Sequence, residues 1–288
     1  MKTITFHSYL LTNKYSNSTC KMYEYVVNKY LRLNSNPSKL SFKEITSYLS
    51  ALYSINGNHF SSVLVLSGIK KYYDYLLFLG KITIHPIKHF SIKGKATKIL
   101  GISLFTPTEL GSLLNRPERY PILKLRNQVL MSLLIYQGLS SNELCNICLN
   151  DIDFDLERIR VKGNRIVNSR LINLMPSQVE LFERYLKECR LKLTNENVSN
   201  FLIGKTGNVI SVDEINYLVE TFKFLFPSKT LNPKTIRQSV IYNWINFYKL
   251  PLEDVQLLAG HKRISSTLKY QMPNMQLFAS LINKYSPI

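Results

Sequence analysis

The sequence predicts a mainly α-helical protein of two domains, with one small antiparallel β-sheet inserted early in the second. Three observations carry that expectation. Apolar residues recur at helical spacing as far as Leu79. Between His89 and Leu104 the periodicity lapses into small and basic residues. Over residues 152–174 the period shortens to the alternation of strands, and the helical period then resumes.

In chain order, the hydroxyl-rich stretch from Tyr15 to Thr19 can cap a first helix running through Met22, Val26 and Tyr30. Ser41 and Glu44 have the spacing of a capping box, and Ile45, Leu49 and Leu52 continue on one apolar face. A third helix spans about Ser62 to Leu79, with Gly80 as its C-terminal stop. These helices form a first domain over residues 1–91. Residues 92–104 form a basic linker containing Lys93, Lys95 and Lys98, although a segment of this composition taken alone could be a solvated surface loop.

The second domain, residues 105–288, opens on Thr106-Pro107-Thr108-Glu109, a helix N-terminus with proline at the first position. A helix through Val129, Leu133 and Leu134 ends at Gly138, and another starts at the cap-rich Ser140 to Glu143. Arg158–Val161 and the segment ending at Leu174 read as strands joined through the turn residues Lys162-Gly163-Asn164. Helical patterns follow near 177–190, 212–226, 234–248 and 252–259, then a shorter one into Tyr270. Beyond it, Met275, Leu277, Phe278, Leu281 and Ile282 again lie at helical spacing.

A chain of 288 residues that is 45% hydrophobic is long enough to bury substantial cores. Its 37 basic residues against 19 acidic ones give a net charge of +18, which calls for a polyanionic partner, nucleic acid first. Residues 1–104 hold 14 basic and 3 acidic side chains, leaving 23 and 16 for the remainder, so the footprint is strongest in the N-terminal third. No run of about 18 apolar residues argues for a membrane span, and no secretory signal opens the chain. The expectation is a cytoplasmic protein. Cys20, Cys145, Cys148 and Cys189 are scattered, and Cys145 with Cys148 falls in an apparently helical stretch without a second ligand pair; buried reduced thiols explain them better than a metal site.

Five positions in the second domain could carry chemistry. Lys162 sits at a hairpin turn from which an ammonium can swing toward a phosphate, though lone turn lysines are more often simply solvated. Lys234 and Arg237 lie three apart at the start of a helix opened by Asn232-Pro233, one cationic face beside free backbone N–H groups; an exposed basic turn would look the same. His261 follows Gly260 at a helix end that could fix its ring direction, as it would for a structural histidine. Tyr270 comes nine residues later, a spacing that 18 tyrosines could produce by chance.

Together, in this order, these features resemble the tyrosine recombinases of the phage-integrase family. That family's pattern is Gly-Leu-Arg followed by Ser-Glu-Leu, a hairpin lysine, a His-or-Lys-x-x-Arg box, Leu-Gly-His and a terminal tyrosine. This chain has Gly138-Leu139-Ser140, Glu143-Leu144, Lys162, Lys234-Thr-Ile-Arg237, Ala259-Gly260-His261 and Tyr270. The resemblance spans most of residues 105–272 and implies a helical core-binding domain before the linker and an α+β catalytic domain after it. It implies that Tyr270 attacks a DNA phosphate to form a 3′-phosphotyrosine link, that Arg237, Lys234 and His261 stabilise the charge, and that Lys162 protonates the departing 5′-hydroxyl, with no metal or nucleotide cofactor.

The departure is Ser140, which stands where the family has its first catalytic arginine; Arg165, Arg170 and Arg126 are the arginines that could fill the gap. Losing one such contact costs about 2.7–4 kcal/mol of barrier, on the order of a hundred- to a thousandfold in rate. The resemblance therefore leaves two readings. One is an active recombinase in DNA recombination, integration or transposition of a mobile genetic element; the other is a DNA-binding paralogue of weak or no cleavage serving as a structural subunit. Both imply double-stranded DNA as partner, and the first has it clamped between the domains. They also imply a homo-oligomer, a synaptic tetramer on DNA in which a paralogous recombinase can take part, and a nucleoid-associated location. The candidate DNA contacts are Lys70 and Lys71 on the third helix, Lys93, Lys95 and Lys98 in the linker, and Arg165 beside the hairpin lysine.

Overall fold

The computed structural model describes residues 4–56, 59–92, 103–114, 120–194 and 198–272. Lys93, Lys95, Lys98 and the apolar stripe from Met275 to Ile282 lie outside them. The chain divides into two compact units, Met1–Thr97 and Lys98–Ile288.

The first unit contains four described helices, α1 (Phe6–Thr12), α2 (Asn17–Leu33), α3 (Phe42–Asn56) and α4 (His59–Phe78). Local chemistry starts and stops them. Thr5 and Ser16 accept the Ser8 and Thr19 amides as N-caps, and Glu44 takes the backbone N–H and the hydroxyl of Ser41, each at 2.7 Å. Gly80 ends α4 at φ +66°, a left-handed conformation that costs glycine little. Val26 and Tyr30 of α2, Ile45 and Leu49 of α3, and Leu66, Ile69, Tyr73 and Leu76 of α4 form the core. The phenols of Tyr30 and Tyr73 meet at 2.9 Å inside it, so these buried hydroxyls satisfy one another. The stripe read through Met22, Val26 and Tyr30 is partly corrected, because Met22 faces solvent.

In the second unit, α5 (Pro107–Ser112) begins with the capping box expected at Thr106 and Glu109. The helix α6 (Lys124–Tyr136) is buried on every side, with Val129, Leu130, Met131, Leu133 and Leu134 all in the core. After α7 (Ser141–Asn146) come β1 (Ile152–Asp153), β2 (Arg158–Val161) and β3 (Arg170–Asn173), an antiparallel sheet of order β1-β2-β3. Val161 pairs with Arg170 and Arg158 with Asn173, which turns Ile159, Val161 and Ile172 inward. Two expectations are corrected here. The β2–β3 connection is not a tight turn but the long loop 162–169, and Cys148 lies beyond the end of α7.

The helix α8 (Pro176–Arg184) runs through a π-helical turn, Tyr185–Arg190, into α9 (Leu191–Leu193). Then come α10 (Val212–Glu220), α11 (Pro233–Asn246), α12 (Leu252–Ala259) and α13 (Ile264–Leu268). The helix α11 packs on both α6 and α12; on it Ser239 Oγ accepts the Phe105 N–H at 2.9 Å and Asn243 Nδ2 donates to the Phe105 carbonyl at 3.0 Å. A small apolar cluster, Ile241, Ile245, Val255 and Ala259, joins α11 to α12, and Tyr270 packs against it.

Candidate active site

The site is organised around a carboxylate. Ser140 is the N-cap of α7: its hydroxyl accepts the Glu143 amide, and the Glu143 Oε2 atom takes the Ser140 N–H and hydroxyl at 2.8 Å each. Position 140, where the resemblance expects an arginine, is thus spent on folding this helix end. The same carboxylate receives two guanidinium groups. Arg170 of β3 donates Nη1 to Oε1 at 2.6 Å, and Arg237 of α11 donates Nη1 to Oε2 at 3.3 Å and to the Gly138 carbonyl. Glu143 and Arg170 are each 5% exposed and Arg237 14%. Burial raises the Glu143 carboxyl, but Arg170, Arg237 and the Ser140 amide outweigh it and hold it below the usual carboxylate range.

The C-terminus of α12 supplies the other anchors. The last carbonyls of a helix lack intrahelical donors and form the negative end of its dipole. Arg170 Nε donates to Leu258 O at 2.7 Å and Arg237 Nη2 to Ala259 O at 2.6 Å. Gly260 ends the helix at φ +70° and turns the chain so that His261 follows at once. Backbone and side-chain bonds to Gln256, each 3.0 Å, hold His261, and its ring Nδ1 lies 2.9 Å from the hydroxyl of buried Thr267. The returning arm of the 162–169 loop docks here too, Asn168 donating to Gly260 O at 2.8 Å.

The Tyr270 ring lies parallel to that of His261, with 6.2 Å between centroids and 16° between planes. Its hydroxyl pairs with Gln238, and its carbonyl takes the Asn246 amide at 2.7 Å. Burial pushes the phenol up against the opposing effect of Arg237. His261 is pushed down to about 4, first by burial and then by the charges of Arg237 and Arg170. It is therefore neutral near pH 7.

The structure thus brings Tyr270, His261 and Arg237 together. Lys162 stands on the β2–β3 loop, its ammonium bound to Asp151 Oδ2 at 2.9 Å and Cys148 Sγ at 3.3 Å. Lys162 and Glu143 line one open cavity of about 370 Å³, with Asn142, Cys148 and Asn164 among its other walls. Lys234 is exposed at the first turn of α11. Arg165 is exposed on the loop, whereas Arg126 is buried against Glu214 at 2.5 Å. In the first unit Lys70 donates to the Lys88 carbonyl at 2.9 Å and Lys71 pairs with Asp74 at 2.7 Å. Among the described residues no cluster of three or more His, Cys, Asp or Glu side chains is placed to hold a metal ion, and no helix is long and apolar enough to cross a membrane.

Residues 104–276, more than half of the chain, match the phage integrase family. The chain belongs to that family. A tyrosine recombinase of Thermosipho africanus is 28% identical over 275 residues, covering 92% of this chain and 92% of the relative. The tyrosine recombinase XerC of Staphylococcus aureus is 24% identical over 273 residues, covering 94% of this chain and 89% of the relative. Among solved structures, the XerH site-specific recombinase bound to a palindromic difH substrate in a post-cleavage complex superposes with a TM-score of 0.75 at 16% identity, covering 91% of this chain and 79% of that one, which shows a common fold. Membership supports site-specific DNA recombination as the general function.

Sequence reasoning missed several residues that shape this site: Arg170 and Glu143 as a buried pair, Thr267 and Gln238 as partners of His261 and Tyr270, and Asp151 with Cys148 as the resting place of Lys162. Only Glu143 had a local signal, its capping-box spacing from Ser140.

Proposed function

We propose that this chain is a site-specific DNA recombinase that cleaves and rejoins strands through Tyr270. The observation that supports the reading is the packing of Tyr270 on His261 beside Arg237, which α11 brings in from a distant part of the sequence. The phenol oxygen attacks phosphorus, the bond to the 5′-oxygen breaks, and a 3′-phosphotyrosine link forms. The phenol is buried and held above its ordinary pKa near 10, so little of it is ionised at neutral pH and the developing charge must be stabilised by the site. Arg237 does so directly, with Lys234 reaching in from one turn earlier on α11. Neutral His261, stacked on the Tyr270 ring, stabilises the developing charge as a hydrogen-bond donor.

Lys162, kept fully protonated by Asp151, delivers a proton to the leaving 5′-oxygen once it exchanges that carboxylate for the DNA. Its 53% exposure and its place on a long loop leave it free to make that exchange. Double-stranded DNA is the substrate, gripped through phosphates by Lys70, Lys71, Lys93, Lys95, Lys98 and Arg165, within a synaptic assembly of several copies. A second reading, a DNA-binding paralogue of weak or no cleavage, is favoured by one observation: Ser140 is a helix cap with no cation to offer.

Covalent trapping separates the two. The protein and Tyr270→Phe are incubated with nicked suicide DNA taken from the flanks of its own gene, and denaturant-resistant adducts are scored. We expect an adduct with the native chain and none with the variant. Tight binding to the same DNA with no adduct, while a control recombinase reacts, would establish the structural-subunit reading.

A further inference from the structure

Glu143 gives one oxygen to each of two guanidinium groups, Oε1 to Arg170 at 2.6 Å and Oε2 to Arg237 at 3.3 Å. The same two arginines are tied to consecutive carbonyls of α12, Leu258 at 2.7 Å and Ala259 at 2.6 Å. The charges can be counted. One carboxylate with one guanidinium is a neutral pair, which has little to offer a phosphate; adding the second guanidinium leaves one net positive charge beside Tyr270. Arg170 also keeps an unused donor. Its Nη2 is, among the described residues, the one buried side-chain nitrogen or oxygen without a hydrogen-bond partner. Such donors are rare because leaving them unpaired is costly, and one whose guanidinium acts on His261 marks a place prepared for an acceptor.

The group lies directly under the Gly260 bend. A Cβ at Gly260 would fall 2.7 Å from Arg170 Nη1, and the next residue is His261. Neither other arginine that could replace the missing one is so placed, since Arg126 is paired with Glu214 and Arg165 stands on an exposed loop. We propose that Arg170 is a positioning residue of the cleavage site that supplies its second guanidinium charge, occupying Glu143 so that Arg237 keeps a net positive charge for the scissile phosphate despite Ser140. The proposal rests on the recombinase reading.

The test uses the full chain as wild type, Arg170→Gln, Arg170→Lys and the double variant Ser140→Arg/Arg170→Gln. Two quantities are measured: the midpoint of the His261 ring titration by NMR without DNA, and the single-turnover rate of adduct formation on nicked suicide DNA alongside its Kd. The groups acting on the His261 ring are Arg170 of β3, Arg237 of α11, Glu143 of α7 and Lys269. Removing the Arg170 charge should raise the midpoint from about 4 by about one pH unit. It should also slow adduct formation by about a hundredfold with Kd changed only a few-fold. Arg170→Lys should keep the titration near that of wild type and at least about a tenth of the rate, and Ser140→Arg should restore at least about tenfold to Arg170→Gln.

A folded Arg170→Gln with unmoved titration and unmoved rate overturns the proposal. If that variant fails to fold, Arg170→Lys decides: lost cleavage with an unchanged titration means that Arg170 is a geometric brace and not a source of charge. If wild type forms no adduct, the recombinase reading fails by itself. The His261 titration then still decides the electrostatic claim, a shift in Arg170→Gln supporting it and no shift overturning it.

Discussion

At the scale of single residues, the protonation of His261 is the most exposed to test. Its folded pKa is pushed to about 4 by burial and by the Arg237 and Arg170 charges, against an ordinary value of about 6.5. The unfolded chain therefore binds the proton more readily between those two values, and stability rises with pH through that window. His261 makes no pH-dependent contribution above about pH 6.5, and stability is lost as the pH falls from there toward about 4. Because the ring is only partly buried, the whole effect is at most about 3 kcal/mol, less what solvent screens. Comparing denaturant unfolding of wild type and His261→Gln across pH 4–7 should show a flatter profile in the variant. Equal slopes would mean that His261 is not depressed in the folded protein. A neutral imidazole also fits its 2.9 Å contact with Thr267, since it retains both a donor and an acceptor nitrogen.

At the scale of elements, Gly260 bears a tight constraint beside His261. It is left-handed at φ +70°, and an added Cβ would lie 2.7 Å from Arg170 Nη1 and 3.1 Å from Asn168 O. Gly260→Ala should therefore destabilise the protein by about 1–3 kcal/mol through backbone strain and also loosen the two arginines from α12. A thermal melt unchanged within about one degree would contradict this. Much at this scale was legible because it is local: the capping boxes at Ser41 and Thr106, the stops at Gly80 and Gly138, and the inward alternation of Ile159, Val161 and Ile172 need only neighbours in sequence.

What stayed hidden depends on distant partners. The π-helical turn at Tyr185–Arg190 lets Arg190 reach the carbonyls of Val198, Asn200 and Phe201 while Tyr185 bonds Phe201 O, so the demand comes from outside the helix. The seven-residue α1 was missed because it is too short to show a period and is held instead by Phe6 and Tyr9 packing on Tyr72 and Tyr75. In the site, Arg237, His261 and Tyr270 were visible as motifs. The Arg170–Glu143 pair joins β3 to α7, and although each residue could be picked out singly, no pattern in either segment announces the pairing.

At the scale of the whole molecule, the charge of +18 has to be reconciled with lysines that are already engaged. Phosphate contacts should make log Kd depend linearly on log salt, with a slope of about 0.9 per neutralised phosphate in duplex DNA. For a chain this basic we expect a total slope of about 5 or steeper. Lys70 and Lys71 decide how the first unit contributes, because each must exchange an internal partner, the Lys88 carbonyl or Asp74, for DNA. Such exposed or half-exposed pairs hold their ions by only about 0–1 kcal/mol, so a duplex can outcompete them. The double variant Lys70→Gln/Lys71→Gln should then flatten the salt slope by about 2 while the melting temperature moves little. An unmoved slope with a lowered melting temperature would make both lysines structural ties of α4 and pass the electrostatic grip to other basic residues.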